Sequence, residues 1–567
     1  MVPLTGNLIL EPPADCRVMA YPPYTAPIAE NRIQGNLAPC RFPWGLKARN
    51  NERLRSASLP RHPHGLRVKG RNARMTEFDA VIVGAGPNGL AAAVTLARAG
   101  LSVRIFERNP TIGGGSRTAE LTLPGFKHDT CSAVHPLAFS SGFFRKFRLR
   151  DRIQLVVPDI SYGSALDGGH AGVAYRDIDE TADGLGRDGR AWKRLMGPLA
   201  HRADHVAQFT GSQVIQLPRH PATTILFGAR VLEQGLPTWN LRLREDAARA
   251  LLTGVGAHAI GSMPSLSAAA VALSLGAYAH ARGWPIPIGG SQAIVDAMAA
   301  DLIDHGGSIV TAMEVRSIEE LPSSQVVLFD TSPRALLRIA GSRLPDGYAR
   351  RLHRFQYGNA VAKVDYALSG PAPWANTALR RAGTLHLGGT REETARSEAE
   401  VASGHHSRNP FVLVAQPSVF DSSRAPAGQH TLWAYTHVPR NSNIDQTEPV
   451  TRQIERFAPG FRDLVLASSS KSALELENSN PNYVGGDIAS GATTLKQLIL
   501  RPTVSPEPWR TPADGIYLCS SSTPPGPGVH GLSGYYAARS ALRNVFGISD
   551  MPSLAPRGER TGPTRLF

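Results

Sequence analysis

Three glycines, Gly84, Gly86 and Gly89, follow the apolar run at residues 80–83 and precede a stretch with a helical pattern of apolar positions. A strand, a tight loop and a helix in this order place peptide N–H groups at the helix N-terminus against a pyrophosphate. Glu107 ends the next strand-like segment, about twenty residues beyond the loop, where a carboxylate accepts hydrogen bonds from ribose hydroxyls. These residues predict a site for an adenine dinucleotide, but they do not separate NAD from FAD.

A second glycine cluster contains Gly113 and Gly114, and Arg117 follows three residues later. The glycines permit a second backbone turn, and the arginine adds a cation beside a ligand that carries a pyrophosphate and a long ribityl arm. The stretch 107–118 resembles the second glycine motif of the flavoprotein superfamily that contains the amine oxidases and the phytoene desaturases. This resemblance implies FAD, bound non-covalently, rather than NAD.

The resemblance continues as separated motifs at residues 124–137, 287–294 and 515–535, and it is strongest for the phytoene desaturase-like branch that includes the pyridine nucleotide-disulfide oxidoreductase domain-containing 2 type. It implies that the backbone of Val315 holds the adenine. It also implies that the last motif closes the flavin site, where helix N–H groups stabilise the charge that reduction places on the ring. The residues implied there are Ser522, Gly528, Val529, Gly531 and Leu532.

Motifs this far apart in the sequence serve one ligand only if the chain leaves the dinucleotide-binding fold and returns to it twice. We therefore expect a mixed α/β protein with a Rossmann-like FAD-binding domain of the glutathione reductase and amine oxidase type and an interleaved substrate domain. The expected boundaries are an unstructured extension at 1–74, FAD-binding segments at 75–160, 285–345 and 483–550, substrate-domain segments at 161–284 and 346–482, and a flexible tail at 551–567.

Residues 1–74 are rich in proline and contain 12 Lys or Arg and 4 Asp or Glu residues. Two interpretations of this segment stay open. A mis-assigned start with Met75 as the true initiator is favoured, because the segment lacks the amphipathic stripe of a transit peptide; the alternative is an organelle-targeting extension. The expected location is the cytoplasm, with peripheral membrane contact as a further option, or the mitochondrial matrix if the segment is a targeting signal.

The composition argues against several classes of protein. The whole chain has 61 basic and 46 acidic residues, but no concentrated Lys/Arg run, so nucleic acid is not expected as a partner. The four cysteines form no C-x-x-C pair, which argues against a disulfide framework and a redox-active dithiol. No uninterrupted apolar run reaches the length of a membrane span, so a soluble protein is expected.

His135 and His530 are the candidate catalytic bases, because each lies in a motif that the resemblance places near the flavin and dehydrogenation can require a proton acceptor. A structural loop histidine is the alternative for each. The His405–His406 pair, with glutamates nearby, lacks the regular spacing of a metal site, so no metal is expected.

The apolar run at 268–278 predicts either a buried core helix or, as the resemblance implies, a wall of an apolar substrate channel. No second glycine module for NAD(P)H is present, so oxygen, a quinone or another protein is expected to accept the electrons. The leading hypothesis is an FAD-dependent dehydrogenase or desaturase that removes hydride from an apolar, isoprenoid or lipid-like substrate. The alternatives are a non-redox flavin-dependent isomerase of the carotenoid isomerase kind and a non-catalytic binding or regulatory protein.

Overall fold

The computed structural model describes residues 76–556, so the predicted extension at 1–74 and the last part of the predicted tail, 557–567, lie outside the described residues. The strands are, in chain order, β1 (Phe78–Val83), β2 (Val103–Phe106), β3 (Thr118–Glu120), β4 (Lys127–Asp129), β5 (Leu155–Val156), β6 (Ile160–Ala165), β7 (Ala171–Tyr175), β8 (Ile286–Pro287), β9 (Ser308–Val310), β10 (Ser324–Phe329), β11 (Ala360–Leu368), β12 (Ala382–Leu387), β13 (Val412–Ala415), β14 (His430–Val438), β15 (Val465–Lys471) and β16 (Ile516–Leu518).

The helices follow the same chain order and vary from five to seventeen residues. They are α1 (Pro87–Arg98), α2 (Gly142–Phe147), α3 (Ile178–Gly184), α4 (Gly189–His201), α5 (Ala203–Thr210), α6 (Pro221–Gly235), α7 (Asp246–Gly256), α8 (Leu266–Arg282), α9 (Gln292–Asp304), α10 (Pro333–Ala340), α11 (Asp346–His353), α12 (Arg391–Ala402), α13 (Thr447–Phe457), α14 (Ala473–Ser479), α15 (Leu495–Ile499) and α16 (Leu532–Asn544). None of them is long and apolar enough to cross a bilayer.

A parallel five-stranded sheet has the order β16-β10-β1-β2-β9, so its strands come from three separated stretches of the chain. Residues 80–83 of β1 are continuously apolar because both faces of the sheet are covered there. Ala80 and Ile82 face a core shared with α1, α9 and α16, whereas Val81 and Val83 face a core shared with α10 and α11. The carboxyl ends of these parallel strands therefore meet at one edge of a rigid, buried sheet.

A second, seven-stranded sheet has the order β15-β11-β14-β13-β12-β6-β7 and is antiparallel except where β12 pairs with β6. Helices α4, α6 and α7 pack around α8, which contains the predicted apolar run and buries Leu273 and Tyr278. The core-helix interpretation of residues 268–278 therefore agrees with the structure. The strands of this sheet lie between those of the parallel sheet in the sequence, so the two sheets are interleaved along the chain.

The start of the predicted flexible tail packs on the parallel-sheet side of the protein. Leu554 is buried in the core that also contains α1. Arg98 donates hydrogen bonds to the carbonyl oxygens of Ser553 and Ala555 at 3.0 and 2.7 Å, and the same guanidinium pairs with Asp301 on α9. Residues 551–556 are thus held in place, in contrast to the expectation of a flexible tail from residue 551 onward.

Candidate functional site

The first glycine loop is shaped by the chain beneath it as well as by its own turn. Gly84 has a φ of +104°, and a Cβ there would lie 2.7 Å from the carbonyl oxygen of Asp330. A Cβ on Gly86 would lie 2.6 Å from the Asp330 carboxylate, and one on Gly89 would lie 2.2 Å from the carbonyl oxygen of Gly84. Within residues 76–556, the N–H of Asn88 in the first turn of α1 has no hydrogen-bond partner. The loop therefore presents a free donor where a phosphate oxygen can bind.

Glu107 lies immediately after β2, beside the loop, as predicted. Its Oε2 accepts a hydrogen bond from Ala85 N at 2.9 Å, and its Oε1 accepts one from Asn109 N at 2.9 Å. Oε1 also accepts from Asn109 Nδ2 at 3.0 Å, so both of its lone pairs are used. These bonds fix the buried carboxylate, and Oε2 keeps a lone pair that can accept from a ribose hydroxyl. The ribose contact of Glu107 stays a prediction.

Asp330 was not among the predicted site residues. It follows β10, next to the end of β1, and its Oδ2 accepts a hydrogen bond from Gly89 N at 2.8 Å. The pKa of this carboxyl is raised to about 7, chiefly by burial; the hydrogen bond from Gly89 N opposes the rise, and the charge of Glu107 adds to it. The sequence could have identified Asp330 because it directly follows a strand of the parallel sheet. The carboxyl ends of such strands meet at one edge of the sheet, where ligands bind.

The second glycine motif lies directly against the first. Gly113 has a φ of +118° and donates a hydrogen bond from its N–H to Ala85 O at 2.9 Å. A Cβ on Gly114 would lie 3.2 Å from Gly86 Cα. Arg117 donates from Nε to Gly114 O at 3.0 Å, which holds its guanidinium beside the same turn. The structure therefore brings together the glycines and the cation that the sequence assigned to one ligand.

Val315 lies in the loop after β9 and is buried in the core on the α10 side of the parallel sheet. Within the part of the chain that the structure describes, neither its N–H nor its C=O has a hydrogen-bond partner. An unpaired peptide group in a buried position is costly, so it is expected to bind a ligand. A donor and an acceptor on one residue can pair with the edge of an adenine ring, and the adenine contact of Val315 stays a prediction.

The last motif forms a loop and the start of α16. Gly531, with a φ of +67°, is the N-cap of the helix, and the N–H of Ser533 in its first turn has no partner among residues 76–556. Ser522 is buried and donates its hydroxyl hydrogen to Ser490 O at 2.8 Å, leaving its oxygen lone pairs free. The other predicted residues lie in the same segment: exposed Gly528, half-buried Val529 and buried Leu532.

Both ring nitrogens of His530 are occupied by the backbone. Nδ1 accepts a hydrogen bond from Leu532 N at 2.9 Å, and Nε2 donates to Gly526 O at 3.0 Å. Burial lowers the pKa of this ring to about 4, so it stays neutral at neutral pH. In this arrangement His530 caps α16 and has no free lone pair, which corrects the expectation of a catalytic base and fits the structural alternative.

His135 has a different environment. Its Nε2–H donates to Ser291 Oγ at 2.8 Å, because the Ser291 hydroxyl itself donates to Ser132 O at 2.6 Å. Its Nδ1 is buried and has no partner among the described residues. Burial lowers the pKa of the ring to about 4, so the neutral form presents a free Nδ1 lone pair. His135 therefore stays a candidate proton acceptor.

An aromatic face is formed by Phe411, just before β13, and by Trp433 and Tyr435 of β14. It packs against residues of the predicted FAD-binding segments. Cys131 and Tyr483 lie on the opposite side of this contact and are hydrogen-bonded to each other, and burial raises the pKa of both groups. The aromatic rings provide an apolar surface next to the second glycine motif. No sequence signal pointed to it, because strand alternation alone does not show which face meets the other sheet.

A polar pair lies beside the aromatic face. Glu398 Oε1 lies 2.5 Å from His437 Nδ1, so this histidine pairs with a glutamate that the sequence grouped with His405 and His406. The Nε2 of His437 is buried and without a partner in the described chain. No group of His, Cys, Asp or Glu residues within 76–556 could hold a metal ion. A histidine whose Nδ1 faces a carboxylate presents Nε2 as a second candidate proton acceptor.

Comparisons with known proteins show which sequences and folds this chain resembles. A family model described as an NAD(P)-binding Rossmann-like domain matches residues 82–146. Pyridine nucleotide-disulfide oxidoreductase domain-containing protein 2 of Rattus norvegicus is 26% identical over 552 residues, covering 83% of this chain and 94% of that protein. Phytoene dehydrogenase of Streptomyces griseus is 27% identical over 424 residues, covering 68% of this chain and 77% of that protein.

Solved structures share the fold. A putrescine oxidase variant has a TM-score of 0.53 at 18% identity, covering 83% of this chain and 99% of the other. Cyclohexylamine oxidase from Brevibacterium oxydans has a TM-score of 0.50 at 16% identity, with the same coverage. Together with the sequence relatives, these similarities confirm the predicted mixed α/β fold class, the resemblance to the amine oxidase and phytoene desaturase superfamily, and the assignment to the oxidoreductases.

Proposed function

We propose that this protein is an FAD-dependent oxidoreductase that removes hydride from an apolar, isoprenoid or lipid-like substrate. The observation that carries the proposal is the contact of the two glycine motifs, from Gly113 N–H to Ala85 O, next to Glu107. NAD needs only the first glycine motif as its phosphate-binding loop, whereas FAD also extends along the second motif. FAD is proposed to bind non-covalently and, when bound, to supply the hydride-accepting ring.

Different residues of the chain are proposed to bind different parts of FAD. The free N–H of Asn88 and the guanidinium of Arg117 hold the pyrophosphate, Glu107 accepts from the ribose, and the peptide group of Val315 pairs with the adenine. The start of α16, with the free N–H of Ser533, stabilises negative charge at the pyrimidine edge of the ring. The peptide groups of Asn88, Val315 and Ser533 are left unpaired within the described residues, which supports this assignment.

The substrate side is assigned to the aromatic face. Trp433 and Tyr435 pack edge to face, with ring centroids 5.1 Å apart, and supply an apolar wall. His135 and His437 each leave one buried ring nitrogen free to accept a proton. The proposed electron acceptor is oxygen, a quinone or another protein. The proposed location is the cytoplasm at a membrane surface, with the mitochondrial matrix as the alternative.

The cofactor is tested by an absorption spectrum of the purified protein before and after anaerobic dithionite, with the released cofactor identified by mass. A flavin band that bleaches, with intact FAD released, is the expected result. Glu107→Ala should weaken FAD binding about tenfold, which corresponds to about 1.4 kcal/mol and one lost charged hydrogen bond. Glu120→Ala, which removes an exposed glutamate from β3, is the matched control. A protein that stays colourless after FAD addition would support the binding-protein alternative.

The reaction is tested by mixing the FAD-loaded protein anaerobically with a panel of isoprenoids and acyl lipids. Bleaching of the flavin, together with a product two hydrogens lighter than the substrate, is the expected outcome. A product of unchanged mass would favour the isomerase alternative. A panel that yields bleaching only with small polar amines would reject the apolar substrate class.

A further inference from the structure

Two histidines meet beside the aromatic face. His386 lies on β12 and stacks on Phe411, with ring centroids 5.9 Å apart, and His258 lies in the turn that follows α7. The Nε2 atoms of the two rings are 2.9 Å apart, so one ring donates a hydrogen bond and the other accepts it. Ala257 and Ile260, on either side of His258 in the chain, belong to the same apolar cluster as the aromatic face. The histidine pair therefore lies at one end of the proposed substrate wall.

The strand register places His386 on the side of the larger sheet that carries the aromatic face. His386 is paired with Leu413 on β13, and Leu413 is paired with Tyr435 on β14, so the three residues form one row across the sheet. The alternate positions of β12, Leu385 and Leu387, face the core on the other side. His386 thus shares a surface with the rings that are assigned to the substrate.

Several polar atoms on this surface have no partner. The Nδ1 of His386, the Nε1 of Trp433 and the Oγ1 of Thr384 are buried and unpaired within the residues that the structure describes. Within 76–556 the ring of His258 bonds only to His386, so its Nδ1 is unpaired as well. A hydrocarbon that covers such atoms leaves them without hydrogen bonds, which costs free energy. A ligand that carries an oxygen atom avoids part of this cost.

His258 is the member of the pair that a ligand can reach. The pKa of its ring is lowered to about 3, chiefly by burial and also by the nearby His437. Burial likewise holds the pKa of His386 well below its usual range, so both rings are neutral at neutral pH. The side chain of His258 is nevertheless only half-buried, whereas His386 is buried. A ring that is surrounded by protein and still keeps accessible surface borders an internal space.

We propose that the substrate is an apolar alcohol whose hydroxyl group binds the free Nδ1 of His258, while His386 holds that ring in place. This assignment rests on the proposed function, because it takes the aromatic face as the substrate wall. The Nδ1 of His258 is a lone pair or an N–H, depending on which ring of the pair donates. A hydroxyl group matches both forms because it donates and accepts, whereas a carbonyl group only accepts. A carboxylate would bring an unpaired charge next to neutral rings, which is unfavourable in a buried site.

The test measures the binding of geraniol, farnesol and geranylgeraniol to the full-length, FAD-loaded protein, each beside the hydrocarbon and the carboxylic acid of the same carbon skeleton. Calorimetric titration gives each affinity and does not depend on turnover. His258→Phe should weaken alcohol binding about tenfold, which is about 1.4 kcal/mol, because one hydrogen bond is lost. The affinity for the hydrocarbon should be unchanged or higher. His258→Ala, which removes the ring without adding bulk, is the second variant if the first does not fold.

His386 is tested as a positioning residue. His386→Phe should also weaken the binding of the alcohol and not of the hydrocarbon, because the His258 ring loses the bond that orients it. His386→Gln should restore part of the affinity, since its amide can still bond to His258 Nε2. His430→Phe is the matched control and should change neither affinity, because His430 lies on β14 on the face opposite to Trp433.

The proposal is overturned if the wild type binds none of the alcohols, or if it binds an acid more tightly than the matching alcohol. It is also overturned if the His258 variants weaken the binding of alcohol and hydrocarbon equally, or weaken neither. Flavin content is measured on every variant. A wild type without FAD would overturn the proposed function together with the alcohol assignment, whereas equal effects in flavin-loaded variants would overturn the alcohol assignment alone.

Discussion

Asp330 fills the space that the first glycine loop leaves beneath it. Its backbone oxygen and carboxylate lie where side chains on Gly84 and Gly86 would project, and the carboxylate accepts from Gly89 N at 2.8 Å. A charged carboxylate at this place would oppose the negative pyrophosphate, but burial raises its pKa to about 7 and favours the neutral form. The same residue thus shapes the loop and makes its electrostatics depend on pH.

The stability of the apoprotein is predicted to depend on the proton of Asp330. The native carboxyl keeps its proton up to about pH 7, whereas the unfolded one loses it near its ordinary value of 3.8. The native state therefore binds more protons in this window, and the free energy of unfolding falls as the pH rises from about 4 to about 7, by as much as about 4 kcal/mol. Asp330→Asn should remove this fall, because the amide oxygen still accepts from Gly89 N.

Urea unfolding of the apoprotein at about pH 5 and about pH 8 measures this difference between the wild type and the variant. Asp514→Asn, which changes an exposed carboxylate, should keep the wild-type dependence on pH. Parallel pH profiles of the wild type and Asp330→Asn would show that Asp330 does not carry the effect.

Helices α1 and α16 contact each other at the two helix starts that are proposed to face the flavin. A Cβ on Gly534 would lie 1.8 Å from the carbonyl oxygen of Asn88, so the two backbones touch there. His530 fixes the start of α16 by accepting from Leu532 N. Because the free N–H groups of Asn88 and Ser533 are assigned to FAD, the helix contact also sets their relative position.

Gly534→Ala is predicted to push the two helices apart. The added methyl group meets backbone, which does not yield as a flexible side chain does, so a loss of about 3 kcal/mol in stability and weaker FAD retention are expected. Gly228→Ala is the control, because Gly228 lies inside α6 with nothing within 4 Å of an added Cβ. That variant should be neutral or up to about 1 kcal/mol more stable. Thermal unfolding and flavin content of both variants measure the contrast; equal stabilities would disprove the helix contact.

The two large sheets of the described molecule are interleaved along the chain, and two short two-stranded sheets, β3-β4 and β5-β8, accompany them. In the sequence, β1 and β2 precede all strands of the larger sheet, β9 and β10 lie between its strands β7 and β11, and β16 follows its last strand. Neither sheet is formed by one continuous segment, and several chain segments pass from one sheet to the other. The two sheets are therefore expected to unfold together. The segment around Leu554 adds a further contact, because it packs on the core that contains α1 and accepts a hydrogen bond from Arg98.

Leu554→Ala is therefore predicted to destabilise the molecule as one unit. Removing a buried leucine side chain costs about 2–5 kcal/mol, and both the flavin signal and the circular dichroism should shift to the same lower transition temperature. Leu495→Ala, at a position that is 48% exposed, should change the transition little. Two separate transitions in the variant would indicate domains that unfold independently.

The sequence by itself determined the flavoprotein fold and the predicted FAD contacts that depend on local spacing. A strand, a glycine turn and a helix follow one another within a few residues, so Gly84, Gly86, Gly89 and Glu107 could be placed without knowing the rest of the chain. The second glycine motif and Val315 were found in a similar way, through short patterns that a resemblance connects. The interleaved organisation followed because several such patterns had to serve one ligand.

The tertiary structure decided what depends on distant partners. Asp330 lies 241 residues from the glycine whose N–H it accepts, and the aromatic face and the His437–Glu398 pair arise only from how the larger sheet is assembled. The structure also showed that the backbone occupies His530, and that His258 and His386 bond to each other and leave their Nδ1 atoms free. A residue type fixes which bonds a side chain can form, but the folded chain fixes which of them are already used, and that decides which groups remain free for a ligand.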